Sequence, residues 1–376
     1  MNNKGLAAAA GITLIAAAGL ASALIITMSR HNTPVPEYVF EDSSAYTAAT
    51  SVETTPLPEA ESAAPETRHS VVLSRDPHNF AKLSFDDYTI HVTGRFDEEI
   101  SAVKLASENI PAELNTDGSA FSAELTIPEN ICGYDYLYII MKSGALQKYR
   151  IHIVDEQISV VGAHMAEKNS AVLEKPTEIS PEICAMYISD DADETEIREA
   201  LDEIKRLSDE ICDGIQSDYD KLRALSRWVS ENIYYDFEAR NTSITVETIS
   251  LCRVLKLHRT VCGGFANLFA ALCEAQGIKC YNVRGAVVTN GSFEENSDTS
   301  ASHEWTAAEI DGRLVWVDTV WNTTNSFTKG EYTKGVTHMK FFDIENLPLG
   351  ADHRAERCEY RSYFGCLSVF ENTQPQ

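Results

Sequence analysis

Cys262, His303 and Asp318 are the residues of this sequence whose types could together carry out covalent chemistry. A thiol supplies a nucleophile, and an imidazole can accept its proton and later return it. A carboxylate can hold the imidazole in one tautomer and stabilise its cationic form. Together they would perform acyl transfer through a thioester, provided that separate elements of the fold bring the three side chains into contact.

The segment Leu257 to Gly277, LHRTVCGGFANLFAALCEAQG, predicts a short loop and then a helix that begins at Cys262. The N–H groups and the macrodipole at a helix N-terminus favour the thiolate. Gly263 and Gly264 leave the backbone bare, so an acyl group could approach closely. Taken alone, Cys262 could equally be an ordinary buried cysteine. The helix has one apolar stripe at three- to four-residue spacing, and Gly277 is a typical stop: the stripe is Phe265, Leu268, Phe269 and Leu272.

Residues 303–318, HEWTAAEIDGRLVWVD, predict two strands joined by a two-residue turn at Asp311-Gly312. In that register His303 and Asp318 are diagonal neighbours on one face, with backbones roughly 7–8 Å apart and side chains within reach. A surface His–Asp pair without a catalytic role is the alternative. The predicted cross-strand pairs are Ile310–Arg313, Trp305–Asp318 and His303–Val320.

Three ordered motifs resemble the signature segments of the transglutaminase-like superfamily: CGGF at 262–265, HEW at 303–305 and DTVW at 318–321. The segment 220–236 is similar to the helix that precedes the core in bacterial members, and 341–343 with 353–354 resembles a closing segment. The resemblance covers about residues 195–360. It implies an α+β, papain-like core of helices packed on an antiparallel sheet, with Cys262, His303 and Asp318 as the catalytic triad.

The resemblance also implies acyl transfer from a peptide or from a glutamine side chain. No metal or organic cofactor is expected, because the sequence shows no ligand set that matches the calcium-dependent members of the family. Gly263 stands where animal transglutaminases usually carry Trp, which favours the bacterial, often peptidase-like branches. Water as the acceptor gives a protease, peptidase or deamidase, which we favour; an amine gives a cross-linking transglutaminase. A non-catalytic cell-surface binding or scaffold module is the alternative from another class.

The oxyanion of such a reaction needs hydrogen-bond donors. The backbone N–H of Cys262 is the expected first donor. The sequence does not identify the second. Asn232, Tyr234 and Tyr235 are candidates, because they lie in the segment that leads into the core.

Composition narrows the class of protein. The chain has 376 residues, enough for two or three domains, with 57 acidic against 31 basic side chains and a net charge of −26. That balance opposes unaided binding to nucleic acid or to anionic lipid headgroups. The nine cysteines show no metal-ligand spacing and no disulfide framework. A local pair between Cys358 and Cys366 stays open.

The N-terminal part predicts a membrane attachment. Gly5 to Met28 is an uncharged stretch of 24 residues, long enough to cross a bilayer as a helix. We expect residues 1–31 to be a signal-anchor, with cleavage after Ala21-Ser22-Ala23 as the alternative. Residues 32–68, rich in Pro, Ser and Thr, predict a disordered linker. The chain is thus expected to be a single-pass cell-membrane protein with extracellular C-terminal domains, or a secreted protein if the segment is removed.

Residues 69–157 alternate apolar and polar side chains and predict a small all-β sandwich of immunoglobulin-like type. We find no chemistry in it, and expect a spacer or a docking module that contacts the cell wall or a surface protein. Residues 158–376 form the expected transglutaminase-like domain, whose partners are a peptide or protein substrate. Within it, the loop 290–302 is expected to border the cleft.

Overall fold

The computed structural model describes residues 69–86, 88–107, 109–154, 157–295 and 300–371. The predicted membrane segment, residues 1–31, and the predicted linker, residues 32–68, lie outside this part of the chain. Among the helices that the structure describes, none is both long and apolar enough to cross a membrane.

The first part of the described chain is built of strands alone. Its strands form two antiparallel sheets, ordered β1-β2-β3-β6-β5 and β4-β7-β8-β9. Apolar side chains from both sheets, such as the fully buried Val92 and Ile139, form one continuous core. The immunoglobulin-like type stays a prediction. The strands are β1 His69–Ser74, β2 Asn79–Asp86, β3 Thr89–Phe96, β4 Ile100–Leu105, β5 Glu113–Asp117, β6 Ala120–Thr126, β7 Gly133–Met141, β8 Leu146–Val154 and β9 Gln157–Val160.

The rest of the described chain mixes helices and strands. One sheet has the order β10-β18-β13-β14-β15 and a smaller one the order β12-β11-β16-β17. The strands are β10 Thr177–Glu178, β11 Tyr234–Asp236, β12 Arg259–Thr260, β13 Cys280–Val287, β14 Ala301–Ile310, β15 Arg313–Val317, β16 Ser326–Thr328, β17 Glu331–Thr333 and β18 His353–Tyr360. The helices are α1 Ala163–Leu173, α2 Pro181–Ile188, α3 Glu194–Ile211, α4 Asp218–Asn232, α5 Phe237–Asn241, α6 Val246–Ile249, α7 Leu251–Leu257, α8 Cys262–Ala275, α9 Asn346–Gly350 and α10 Ser368–Glu371.

Helix α8 is the central helix of this part. Its predicted start at Cys262 is confirmed, and Gly277 adopts a positive φ of 75° just beyond its end. The sequence predicts one apolar stripe, but every residue from Gly263 to Cys273 is buried. The difference arises because α3 and α4 share one core with α8 and with the apolar face of β13, β14 and β15. A helix covered on all sides has no polar face.

The sandwich is docked on the rest of the chain. Arg223 of α4 donates to both carboxylate oxygens of the fully buried Asp76, at 3.0 and 3.1 Å, and to Asp97 at 2.7 Å. The ammonium of Lys340, 5% exposed, lies over the ring of Tyr149 from β8, 4.9 Å from its centroid. A buried Arg–carboxylate pair and a covered lysine indicate a permanent contact rather than a free spacer.

The loop before β14 also rests on the sandwich. The backbone N–H of Gly291 donates to the hydroxyl of Tyr136 at 2.7 Å, and the guanidinium of Arg150 pairs with Glu295. The described part of this loop, predicted to border the cleft, is therefore fixed by contacts with β7 and β8.

Candidate active site

Cys262 is the first residue of α8 and its side chain is partly exposed. The carbonyl of Val261 accepts from the N–H groups of Gly264 and Phe265, at 3.0 and 3.2 Å. Within the described residues, the N–H of Cys262 has no backbone acceptor. The thiol thus belongs to a partly exposed residue at the positive end of a buried helix, beside a free backbone donor.

Of the two glycines after Cys262, Gly264 is required by packing, a role that the sequence did not predict. A Cβ atom on Gly264 would lie 2.1 Å from Oγ1 of Thr260, so a side chain at this position has no room. On Gly263 a Cβ would meet Ile249 at 3.3 Å and Glu304 at 3.5 Å. Gly264 is therefore required for the close approach of α8 to β12.

The hairpin has the predicted turn, with positive φ at Asp311 (50°) and Gly312 (77°). Its pairing runs from Ile310–Arg313 to Thr306–Val317, in the predicted register. The predicted pairs Trp305–Asp318 and His303–Val320 are absent from this ladder. The N–H of Asp318 donates instead to the carbonyl of Phe341 at 2.8 Å, which ends the pairing.

The side chains of His303 and Asp318 nevertheless meet. Nε2 of His303 lies 2.6 Å from Oδ2 of Asp318, and both side chains are buried. Oδ1 of Asp318 accepts from the N–H groups of Val320 at 2.9 Å and Trp321 at 3.0 Å. The carboxylate is thus fixed by the turn that follows β15, and it orients the imidazole.

Electrostatics favour a charged imidazole. Burial disfavours charge on His303, but the charge and hydrogen bond of Asp318 and the hydrogen bond with Cys262 outweigh it and raise the pKa of His303 to about 10. Burial would raise the pKa of Asp318, yet His303 and a second histidine, His353, hold that pKa well below its usual range. Because Asp318 engages Nε2, Nδ1 is the nitrogen left for the sulfur. The arrangement suits a thiolate–imidazolium pair.

His353 is a residue of the site that the sequence motifs did not predict. Its Nε2 lies 3.1 Å from Oδ2 of Asp318 and its Nδ1 2.6 Å from Oδ1 of Asp352, and the side chain is fully buried. Burial opposes a charge on this ring, but Asp352 and Asp318 outweigh it and raise the pKa of His353. Flanked by two carboxylates, the ring donates from both nitrogens. The resemblance of residues 353–354 to a closing segment of the superfamily was the sequence signal that could have indicated His353.

The ligand atoms of His303, Asp318 and His353 lie within 4.8 Å of one another, as in a metal site. However, both rings approach the same carboxylate oxygen, at 2.6 and 3.1 Å, which are hydrogen-bond distances. A zinc ion would instead stand between its ligands at about 2.0–2.2 Å from each. The geometry therefore fits a hydrogen-bonded set better than a metal centre.

Aromatic rings enclose the two histidines. The ring of Trp321 lies 4.5 Å from that of His353 and 6.0 Å from that of His303, measured between centroids. Trp305 lies 5.0 Å from His353 and Phe341 5.4 Å. These rings keep water from the buried hydrogen bonds, which strengthens them.

A second buried network supports the other face of β14. Arg361, 2% exposed, donates to Glu304 at 2.8 Å and to the Asn267 side chain of α8 at 2.5 Å. It also donates through Nε to Glu359 at 3.0 Å. Glu304 follows His303 in sequence, so this network fixes the strand that carries the imidazole relative to the helix that carries the sulfur.

All nine cysteines are free thiols in the structure. Cys358 and Cys366, for which a local pair was left open, are both buried and unpaired. Cys262 differs from most of the others because its side chain is partly exposed and contacts a histidine.

The family comparison agrees with this geometry. The model of the transglutaminase-like superfamily matches residues 205–319. This part of the chain belongs to the transglutaminase-like superfamily. The matched segment of the transglutaminase-like domain contains Cys262, His303 and Asp318 and ends one residue beyond the last of them.

Two curated relatives are similar to part of this chain. Kyphoscoliosis peptidase of Mus musculus is 29% identical over 136 residues, which are 33% of this chain and 20% of that protein. The Homo sapiens kyphoscoliosis peptidase is 27% identical over 137 residues, 35% of this chain and 20% of that protein. The chain thus spans about a fifth of the length of these relatives.

Two solved structures align with more of the chain. A protein of Cytophaga hutchinsonii assigned to the cysteine proteases is 16% identical, with 69% of this chain and 72% of that chain covered and a TM-score of 0.27. A TGase structure is 14% identical, with 60% and 47% covered and a TM-score of 0.27.

Proposed function

We propose that this chain is a cysteine enzyme that transfers the acyl group of a peptide or glutamine amide through a thioester on Cys262. The observation that carries the proposal is the buried 2.6 Å contact between His303 and Asp318, with the partly exposed Cys262 at a helix N-terminus near enough to the imidazole to raise its pKa. A nucleophile, a base and an orienting carboxylate in this order are the requirements of acyl transfer.

In the first half of the reaction the Cys262 thiolate attacks the amide carbonyl carbon and forms a carbon–sulfur bond. His303, protonated by the thiol, gives that proton to the departing amine as the carbon–nitrogen bond breaks. In the second half His303 takes a proton from the acceptor, which bonds to the acyl carbon; the carbon–sulfur bond then breaks and the proton passes to the leaving sulfur. Asp318 keeps Nδ1 of His303 directed at the sulfur throughout.

We infer that water is the main acceptor, so the reaction is hydrolysis by a peptidase or deamidase. Gly263 in place of Trp after the nucleophile, and the likeness to a protein named a peptidase, favour this choice. A glutamine peptide supplied with and without a labelled primary amine tests it. Release of ammonia or of a peptide fragment without label incorporation is the expected result, whereas a covalent labelled adduct would establish transamidation.

A non-catalytic scaffold is the second candidate, and thiol reactivity distinguishes it. We expect iodoacetamide to alkylate Cys262 rapidly between pH 6 and 7, and His303→Ala to remove this advantage. Cys132, the exposed cysteine of the sandwich, is the internal control in the same mass spectrum. Equal rates at Cys262 and Cys132 in the wild type would favour the scaffold.

We further propose that the enzyme is exported and tethered to the cell membrane through residues 1–31, with a peptide or protein substrate and no nucleic-acid partner. The sandwich would contact the cell wall or a surface protein. Fractionation of cells that express the full chain tests the tether: the protein should remain with membranes and be digested by protease added to intact cells. Recovery in the culture medium would indicate cleavage, and protection in intact cells would contradict export.

A further inference from the structure

Acyl transfer places negative charge on the carbonyl oxygen of the substrate, and the N–H of Cys262 supplies one donor. Three side chains near the core entrance are candidates for the second. Nδ2 of Asn232 donates one of its two hydrogens to the carbonyl of Trp228 at 2.8 Å, which holds the amide against its own helix. Tyr234 packs its ring against Tyr332, 5.1 Å between centroids. Tyr235 lies on the opposite face of the strand from Tyr234.

Strand pairing places Tyr235 beside the nucleophile. β11 pairs in parallel with β12, and Tyr235 is the partner of Thr260, two residues before Cys262. Partners in a parallel pair direct their side chains to the same face, and Thr260 packs on Gly264 of α8. The ring of Tyr235 therefore lies on the α8 side, 6.5 Å from the ring of Phe265, which is less than one helical turn beyond Cys262.

The ring of Tyr235 is held while its hydroxyl is free to donate. Phe237 packs against the ring at 5.0 Å, edge to face. Among the described residues, the hydroxyl of Tyr235 has no hydrogen-bond partner, whereas those of Tyr219 and Tyr332 are bound at 2.8 Å. Burial, then the nearby Cys262 sulfur, raises the pKa of Tyr235, so the phenol keeps its proton.

We propose that the hydroxyl of Tyr235 is the second oxyanion donor, acting opposite the N–H of Cys262. The inference rests on the proposed acyl-transfer function. As the carbon–sulfur bond forms, the carbonyl π electrons move to oxygen, and the phenol O–H donates a hydrogen bond to that oxygen without giving up its proton. When the carbon–nitrogen bond breaks, the carbonyl reforms and the hydrogen bond weakens.

The test is Tyr235→Phe, which removes the donor and retains the ring. We expect kcat for a peptide amide to fall about 100-fold with little change in KM, since one oxyanion donor contributes on the order of 10²–10³ in kcat. A peptide aldehyde, which forms a tetrahedral adduct on the sulfur, should bind more weakly by a similar factor. Alkylation of Cys262 by iodoacetamide, which forms no oxyanion, should keep its rate.

Tyr234→Phe is the matched control, because it alters the neighbouring tyrosine on the other face; its kcat and aldehyde affinity should equal those of the wild type. Wild-type kcat and aldehyde affinity in Tyr235→Phe would overturn the proposal, as would an equal loss of alkylation, which would indicate that Tyr235 holds the sulfur in place. A wild-type Cys262 that alkylates no faster than Cys132 would count against the acyl-transfer function itself, and would remove the basis of this role.

Discussion

Asp318 accepts a hydrogen bond from His353 on the same oxygen atom that receives His303, at 3.1 and 2.6 Å respectively. One carboxylate oxygen thus serves two buried imidazoles whose ring centroids are 5.9 Å apart. A protonated His353 partly neutralises the negative charge of Asp318 and repels a positive charge on His303. His353 is therefore a positioning residue that also limits how basic His303 becomes.

Replacing His353 by Gln should change the pH dependence of the reaction. The amide can still donate to Asp318, but the positive charge is lost, so the pKa of His303 should rise. We expect the basic limb of the kcat/KM profile to move to higher pH, with a loss of kcat on the order of tenfold at neutral pH, below the 10²–10⁴ typical of losing a general acid–base.

The exposed pair His78–Asp97, 2.9 Å apart, provides the control. His78→Gln should leave the profile unchanged. A His353→Gln enzyme with lower kcat but an unmoved basic limb would show that His353 only packs beneath Asp318.

Asp318→Asn tests the source of the charge on His303. Without the carboxylate, only the interaction with Cys262 opposes the effect of burial, so the pKa of His303 should fall from about 10. The protonated ring needed to supply the leaving amine is then lost at lower pH, so the basic limb of the kcat/KM profile should move down. We expect kcat to fall on the order of 10³-fold. A basic limb that stays near pH 10 in a stopped-flow profile would contradict this account.

Gly264→Ala should destabilise the fold, because its Cβ would meet Thr260 at 2.1 Å. Overpacking of this kind costs about 1–3 kcal/mol in the free energy of unfolding. Gly263→Ala is the control: its nearest neighbour would be the Cγ2 methyl of Ile249 at 3.3 Å, a much milder contact, and alanine is the better helix former. Urea denaturation measures both. Equal stability of the two variants would rule out the assigned contact.

Arg361→Met should be strongly destabilising. It removes the buried cation that both Glu304 and Glu359 contact, and leaves these carboxylates, 7% and 3% exposed, with only the half-exposed Arg284 and Arg357 as ionic partners among the described residues. Breaking a buried pair in this way costs about 3–5 kcal/mol. Arg357→Met removes the other partner of Glu359. Because the side chain of Arg357 is half exposed, the thermal unfolding midpoint of this variant should change little. A similar loss of stability in both variants would mean that the burial of Arg361 does not determine how much its replacement destabilises the fold.

The sequence predicted the elements whose signals are local. The start of α8 follows from glycines and apolar spacing, and the hairpin follows from Asp311-Gly312, which specifies both turn and register. The contact between His303 and Asp318 came from that register alone. The predicted pairs Trp305–Asp318 and His303–Val320 do not form, because the N–H of Asp318 donates to the carbonyl of Phe341, which is distant in sequence.

Contacts set by distant strands could not be read from one sequence. His353 reaches Asp318 because β18 pairs with β13, with Val287 opposite His353, and no local pattern encodes that pairing. The role of Gly264 depends likewise on how closely α8 approaches Thr260. The Tyr235–Thr260 pairing is also nonlocal, which is why three neighbouring residues were equal candidates for the oxyanion donor.

Because the sandwich contacts the rest of the chain through buried side chains, we expect the cooperative folding unit to exceed the stretch with the family likeness. A fragment that starts after residue 157 would lack three groups that contact the remaining part. These are the Asp76 carboxylate that pairs with Arg223, the Tyr149 ring that covers Lys340, and the Tyr136 hydroxyl that accepts from Gly291. We expect such a shortened protein to be less soluble and less stable than the chain from residue 69. Anyone who transplants this catalytic centre into another protein should therefore move both parts together.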